Sequence, residues 1–343
     1  MKLTACSPAT EAGTRLAGSP VSLGGIRRFC AVGLSLVLGL APVLLAVQRG
    51  ADPAGILKGV VVRTKEVIVG PQDEPFNMPS DAAIGQDGKL YVLDGVNNRV
   101  VVYDAEGSFL FKFGSRGSNA GQFLFPLGIS AGPDGKVYVA DSGNHRFQVF
   151  APDGKPLESV QLPTTASGVP PDPTDVAVDP IRPRLYIADN DNHRLNVYNL
   201  TSRSFEEALG GPGLGERQFR FPFLIDVSAD GYVLVVEPIN TRVQVLNSAG
   251  KFVGFIGGWG IKPGQLFRPK GVATLGKKVF VTDSYLGRVQ VFDLGGSFLG
   301  MLAGQNGEPI QLDTPMGITV DAGNRRLYVV ELKANRVCRM DLE

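Results

Sequence analysis

An all-β ring of six four-stranded sheets is the fold the sequence predicts. Three observations carry it: a unit of 46 to 48 residues recurs six times, an acid and an arginine stand five residues apart in every copy, and the last copy is truncated while a lone β-rich run stands near the start. Internal repetition at this period marks architectures in which each repeat contributes one unit stacked on its neighbours. With 44 glycines, 24 prolines and 43% apolar residues, the 343-residue chain is turn-rich and long enough for a large core.

Taken in order, residues 1–28 are expected to be a cytoplasmic N-terminal segment. Residues 29–47, "FCAVGLSLVLGLAPVLLAV", hold no charge and are long enough for a transmembrane helix. Arg27 and Arg28 abut its start, an arrangement that keeps the N-terminus inside and exports the downstream chain. A signal anchor is therefore expected, with the remainder periplasmic or at the cell surface; cleavage and secretion is the alternative. Residues 48–56 read as a linker, and the ring occupies 57–343.

The run "GVVVRTKEVIVG" (59–70) is β-rich but has no unit of its own. Six units come after it. The acid that ends each second strand is Asp94, Asp141, Asp189, Glu237, Asp283 and Glu331, and the arginine five residues on is Arg99, Arg146, Arg194, Arg242, Arg288 and Arg336. A proline precedes each acid by 14 to 16 residues (Pro79, Pro126, Pro173, Pro222, Pro269, Pro315). In the second unit, strands are predicted over 127–132, 136–141, 146–151 and 155–161, joined by turns such as "PDG" and "SGNH". Six four-stranded units of this length close into a β-propeller. The sixth ends after its third strand at Glu343, so residues 59–70 are expected to supply the fourth and leave no open edge. A single ring of this kind is expected to be monomeric.

The stretches "YVADSGNHRFQVF" (138–150) and "GSNAGQFLFPLGI" (117–129) recur across 57–343, and through them the chain resembles the NHL family of six-bladed propellers. Some members are peptidyl-hydroxyglycine lyases, which hold zinc with histidines at the ring axis. This chain has two histidines, His145 and His193, in the same slot of adjacent units, fewer than that set. Elsewhere the slot holds Asn98, Thr241, Gly287 and Asn335, a turn position that admits small polar residues. A zinc site needs three or four ligands.

Each acid and its arginine flank one hairpin turn, so they are expected to pair across strands for about 0.2–1 kcal/mol each. The Gly-rich runs 113–123, 209–219 and 257–267 lack a terminal Gly-Lys-Ser/Thr and read as crossings between blades. The cysteines Cys6, Cys30 and Cys338 form no disulfide framework or zinc spacing.

Residues 1–50 carry five basic residues and one acid, leaving 29 basic and 32 acidic residues, net −3, in 51–343. That balance and the expected export argue against nucleic acid as a partner. Turns between second and third strands open on the same face as the crossings, and binding is expected there. Candidate contacts are His145, His193, Trp259, Tyr285, Arg116 and Arg217. Trp259, in "GGWG", either anchors an interface or packs over its own crossing. The function expected is a non-catalytic, extracytoplasmic binding or scaffold propeller for a protein, peptide or glycan, with no cofactor. The alternative is a hydrolase or lyase, lactonase-like or peptidyl-hydroxyglycine-lyase-like, with Ca or Zn held by carboxylates at the axis.

Overall fold

The computed structural model describes residues 59–343. The expected transmembrane helix, 29–47, lies outside the described residues, and among those described no helix is long and apolar enough to cross a membrane. From residue 59 onward the chain is strand, turn and loop, with one 3-10 turn at Ser142–Asn144.

Five blades are sequential antiparallel sheets. Blade 1 runs Asp81–Ile84, Leu90–Asp94, Arg99–Tyr103 and Phe109–Phe113, and blade 2 runs Pro126–Ala131, Val137–Asp141, Arg146–Phe150 and Pro156–Gln161. The blade 2 strands fall within a residue of their expected bounds. In blade 3 the outermost strand is broken into Ser204–Phe205 and Leu209–Gly210, both paired to Arg194–Asn199. Blades 4 and 5 begin at Ile225 and Pro269.

Blade 6 is built from both ends of the ring. Its own strands are Pro315–Asp321, Arg326–Glu331 and Arg336–Leu342, and Val61–Val69 pairs antiparallel to the last, from Val62 against Leu342 to Val69 against Arg336. This is the closure expected from the orphan run. An unexpected fifth strand, Ala303–Gly304, lies parallel to Val61–Val62 and ties blade 5 to the latch.

The core is not one body but six layers, one between each pair of neighbouring blades. Strand alternation sends successive side chains to opposite layers. Val92 and Val101 enter the layer between blades 6 and 1, whereas Tyr91, Leu93, Val100 and Val102 enter the one between blades 1 and 2. The closing strand obeys the same rule: Val62 belongs to the layer between blades 5 and 6, and Ile68 to that between blades 6 and 1.

The histidine slot has a backbone cause. Asn98, His145, His193, Thr241 and Asn335 all sit at φ between 52° and 56°, and Gly287 at 63°. Asn, His and Gly populate this left-handed region more readily than most residues, so the slot selects for conformation.

Candidate functional site

The repeat acids lie at the heart of the loop face. All six are fully buried. Asp141 accepts from the Leu124 amide at 2.7 Å, Asn144 Nδ2 at 2.9 Å, Arg146 Nε at 2.7 Å and Gln148 Nε2 at 3.0 Å. Asp94, Asp189 and Glu237 are held alike, each by a backbone amide of the entering crossing and by its own arginine. Glu331 accepts from Arg336 and from Cys338 Sγ at 2.9 Å; burial pushes its pKa up, but these bonds outweigh it and hold it below the usual range. The arginines in turn donate to carbonyls of the preceding crossing: Arg146 reaches Ser118, Asn119 and Gln122 at 2.8–2.9 Å.

One expectation is corrected here. In five blades the acid and arginine pair across the hairpin as expected, and the buried acids also fasten loops to the sheet. The fifth pair differs. Asp283 and Arg288 are in register, but no ion pair forms: Asp283 accepts backbone amides of Phe267, Arg268, Tyr285 and Leu286, and Arg288 Nε is buried without a partner.

The histidines act as clips between blades. His193 Nδ1 accepts from the Phe221 amide of blade 4 at 3.1 Å, with its ring edge-on to Phe221. Asn98 accepts likewise from Phe125, and Asn335 from Met78, both at the residue before a repeat proline. His145 Nδ1 instead lies 2.6 Å from the Pro171 carbonyl and donates to it.

The other candidate contacts are dispersed around the loop face. Arg116 sits 6.0 Å from the Phe125 ring, and Arg217 is exposed while its amide donates to Gln244 Oε1 at 2.9 Å. Trp259 is 75% exposed, so it does not pack over its crossing. Tyr285, 62% exposed and tilted on Phe267 at 4.4 Å, is the one candidate that lines a wide loop-face cleft. That cleft, of about 870 Å³, lies between blades 4, 5 and 6 and is also lined by Ile239, Arg268, Lys270, Met316 and Lys333, none of which the repeat pattern singled out.

A second cavity of about 360 Å³ runs along the axis, enclosed by the inner strands. It holds three carboxylates that sequence reasoning did not isolate: Asp81, Asp175 and Asp226. A signal existed, since Asp81 and Asp175 each stand two residues after the repeat proline, where the other units have Gly128, Leu224, Gly271 and Gly317. The glycines are the complement of the acids. A Cβ at Gly128 would overlap Asp175, and one at Gly317 would overlap Asp81.

These acids stitch blades together. Asp81 accepts from the Ile129 amide at 3.0 Å, Asp175 from Ile225 at 2.7 Å, and Asp226 from Thr274 Oγ1 at 2.9 Å. Ser130 with Val178, Thr282 with Met316, and Gly317 with Ser80 bridge the remaining three junctions, so hydrogen bonds cross every blade boundary. Among the described residues, no three His, Cys, Asp or Glu side chains converge as a metal-binding group.

Burial pushes Asp81 up to about 7 and Asp226 up to about 6, and burial with the charge of Asp81 raises Asp175. Between about pH 4, where an unfolded aspartate titrates, and pH 7, the folded state keeps protons that the unfolded state releases. Rising pH therefore costs stability through this window. Replacing Asp81 with Asn keeps an acceptor for Ile129 and removes the ionisation. The fall in unfolding free energy between pH 5 and pH 8 is expected to shrink by a few kcal/mol in this variant, measured by urea denaturation. An unchanged slope would show that Asp81 is not the titrating group.

The profile of the NHL repeat matches residues 76–103 and 123–150. No curated protein matches the sequence. Among solved structures, the chain is similar to virginiamycin B lyase from Staphylococcus aureus, at 16% identity over 85% of this chain and 97% of that one, TM-score 0.53. It is also similar to Kuenenia stuttgartiensis hydrazine synthase, at 12% identity over 78% of this chain and 96% of that one, TM-score 0.57. A third likeness is U3-55K, at 14% identity over 83% of this chain and all of that one (100%), TM-score 0.60. At these identities the likeness is one of fold.

Proposed function

The chain carries NHL repeats and closes into a six-bladed β-propeller, and from that premise we propose that it is a non-catalytic binding module that engages a protein, peptide or glycan on its loop face. The carrying observation is an asymmetry of exposed apolar side chains. Among the described residues outside the outermost strands, ten large exposed hydrophobics lie on the loop face, including Met78, Val96, Phe125, Phe221, Ile239 and Tyr285, whereas Ile181 alone lies on the opposite face. Exposed apolar side chains gathered on one face of a stable ring offer a partner surface that water solvates poorly.

The six repeat acids and the three axial acids are all committed to hydrogen bonds within the scaffold, which favours this reading over catalysis. A photo-crosslinking residue placed at Tyr285 is expected to capture a discrete partner, and the same residue at Ile181 is not. Ile239→Asp should abolish the capture. Equal capture from both faces would overturn the proposal.

We infer further that residues 29–47 hold the ring at a membrane with the propeller outside the cytoplasm, on the strength of the uncharged stretch and its flanking Arg27 and Arg28. Protease added outside intact or outer-membrane-permeabilised cells should then degrade the propeller. Full protection until lysis would place it in the cytoplasm.

A further inference from the structure

In the position after the repeat proline the six blades carry Ser80, Leu127, Thr174, Phe223, Lys270 and Met316, so Lys270 is the single charge in that ring. Its ammonium lies 4.5 Å from the centroid of the Phe223 ring. Burial, and then the charge of Arg268, push its pKa below the usual lysine value. Neither Lys270 nor Arg268 has a carboxylate within 4.0 Å among the described residues, and neither does Lys333. The one acid lining the same cleft is Asp313, whose carboxylate accepts from Thr314 Oγ1 at 3.1 Å. Exposed Arg268 and Lys333 and half-buried Lys270 thus face this cleft without an ion pair, beside the apolar walls of Ile239, Tyr285 and Met316, while the buried Asp283 below is spent on backbone amides.

We propose that this cleft between blades 4, 5 and 6 binds an acidic peptide segment, with a carboxylate seated between Lys270 and Arg268 and an apolar side chain against Tyr285 and Ile239. The proposal rests on the loop-face reading and specifies its ligand. A neutral glycan leaves the cations uncompensated. A nucleic acid needs a track of cations along its backbone, whereas here they are confined to one cleft of a domain with net charge −3. Rim cations of this kind steer an acidic partner, and the half-buried Lys270 sets its register.

The test is selection of a random dodecapeptide phage library on the protein, with counter-selection on the Lys270→Gln/Arg268→Gln double variant. Retained peptides are expected to pair Asp or Glu with Leu, Phe or Met. A synthetic consensus peptide should bind the double variant at least ~30-fold more weakly by fluorescence anisotropy, and Arg268→Gln alone should show part of that loss. Retained peptides without excess acid, or acidic peptides that bind parent and double variant equally, overturn the inference. If a neutral peptide binds and Tyr285→Ala releases it, the acidic ligand is overturned while the loop-face reading stands. If binding also survives Tyr285→Ala and Ile239→Asp, both fall. A single-stranded polyuridylate 12-mer that binds as tightly, with the same loss on the double variant, overturns the peptide class.

Discussion

Asp141→Ala will destabilise the propeller by about 3–5 kcal/mol, the loss expected when one partner of a buried, hydrogen-bonded ion pair is removed. The side chain is fully buried and takes four hydrogen bonds, from the crossing that enters blade 2, from its own turn and from the next strand. Without it the Leu124 amide loses its acceptor and the Arg146 guanidinium keeps its charge in a buried place. The fifth blade supplies an internal control. Arg288 makes no ion pair with Asp283, so Arg288→Gln should cost well under half of what Arg146→Gln costs. Urea denaturation followed by tryptophan fluorescence and circular dichroism reads both differences. A cost of Asp141→Ala below about 1 kcal/mol would show that the pair is worth no more than an ordinary cross-strand pair.

Opening the ring is expected to be more damaging still. A chain lacking residues 59–69 loses the whole ladder against Arg336–Leu342 and withdraws Val60, Val62 and Ile68 from two core layers. The bared edge strand then offers unpaired amides and carbonyls to any other chain. Such a variant should unfold at markedly lower urea and elute from gel filtration as soluble aggregate. A milder form, Ile68→Asp, buries an unpaired carboxylate between blades 6 and 1 and should cost about 3–5 kcal/mol. If the truncated chain remained monomeric with the parent's urea midpoint, the latch would be dispensable.

The repeat made most of the architecture readable. Six acids in register fix the number of blades, and the β-rich run at 59–70, which has no unit of its own, pairs onto the sixth unit because hydrogen-bonded edges must be paired somewhere. The histidine slot was readable as a turn, but its left-handed backbone was not, since Asn, Gly, His and Thr are compatible with several turn geometries. His193 accepts a hydrogen bond where His145 donates one, though the two occupy equivalent positions. The difference lies in the neighbouring blade, where the group that faces the ring is the Phe221 amide in one case and the Pro171 carbonyl in the other.

By itself, then, the sequence determined the periodic part of this protein: strand alternation, blade count, the closing strand and the residues that staple five of the six hairpins. Tertiary structure alone decided what happens where different repeats meet. Asp81 and Asp175 find room because the preceding blades offer Gly317 and Gly128, and Lys270 gains its cleft from Ile239 of one blade and Met316 of another. Periodicity is a property of local chain geometry and is written in spacing; a burial environment or an unpaired charge is a property of juxtaposed units, and appears only once the ring is closed.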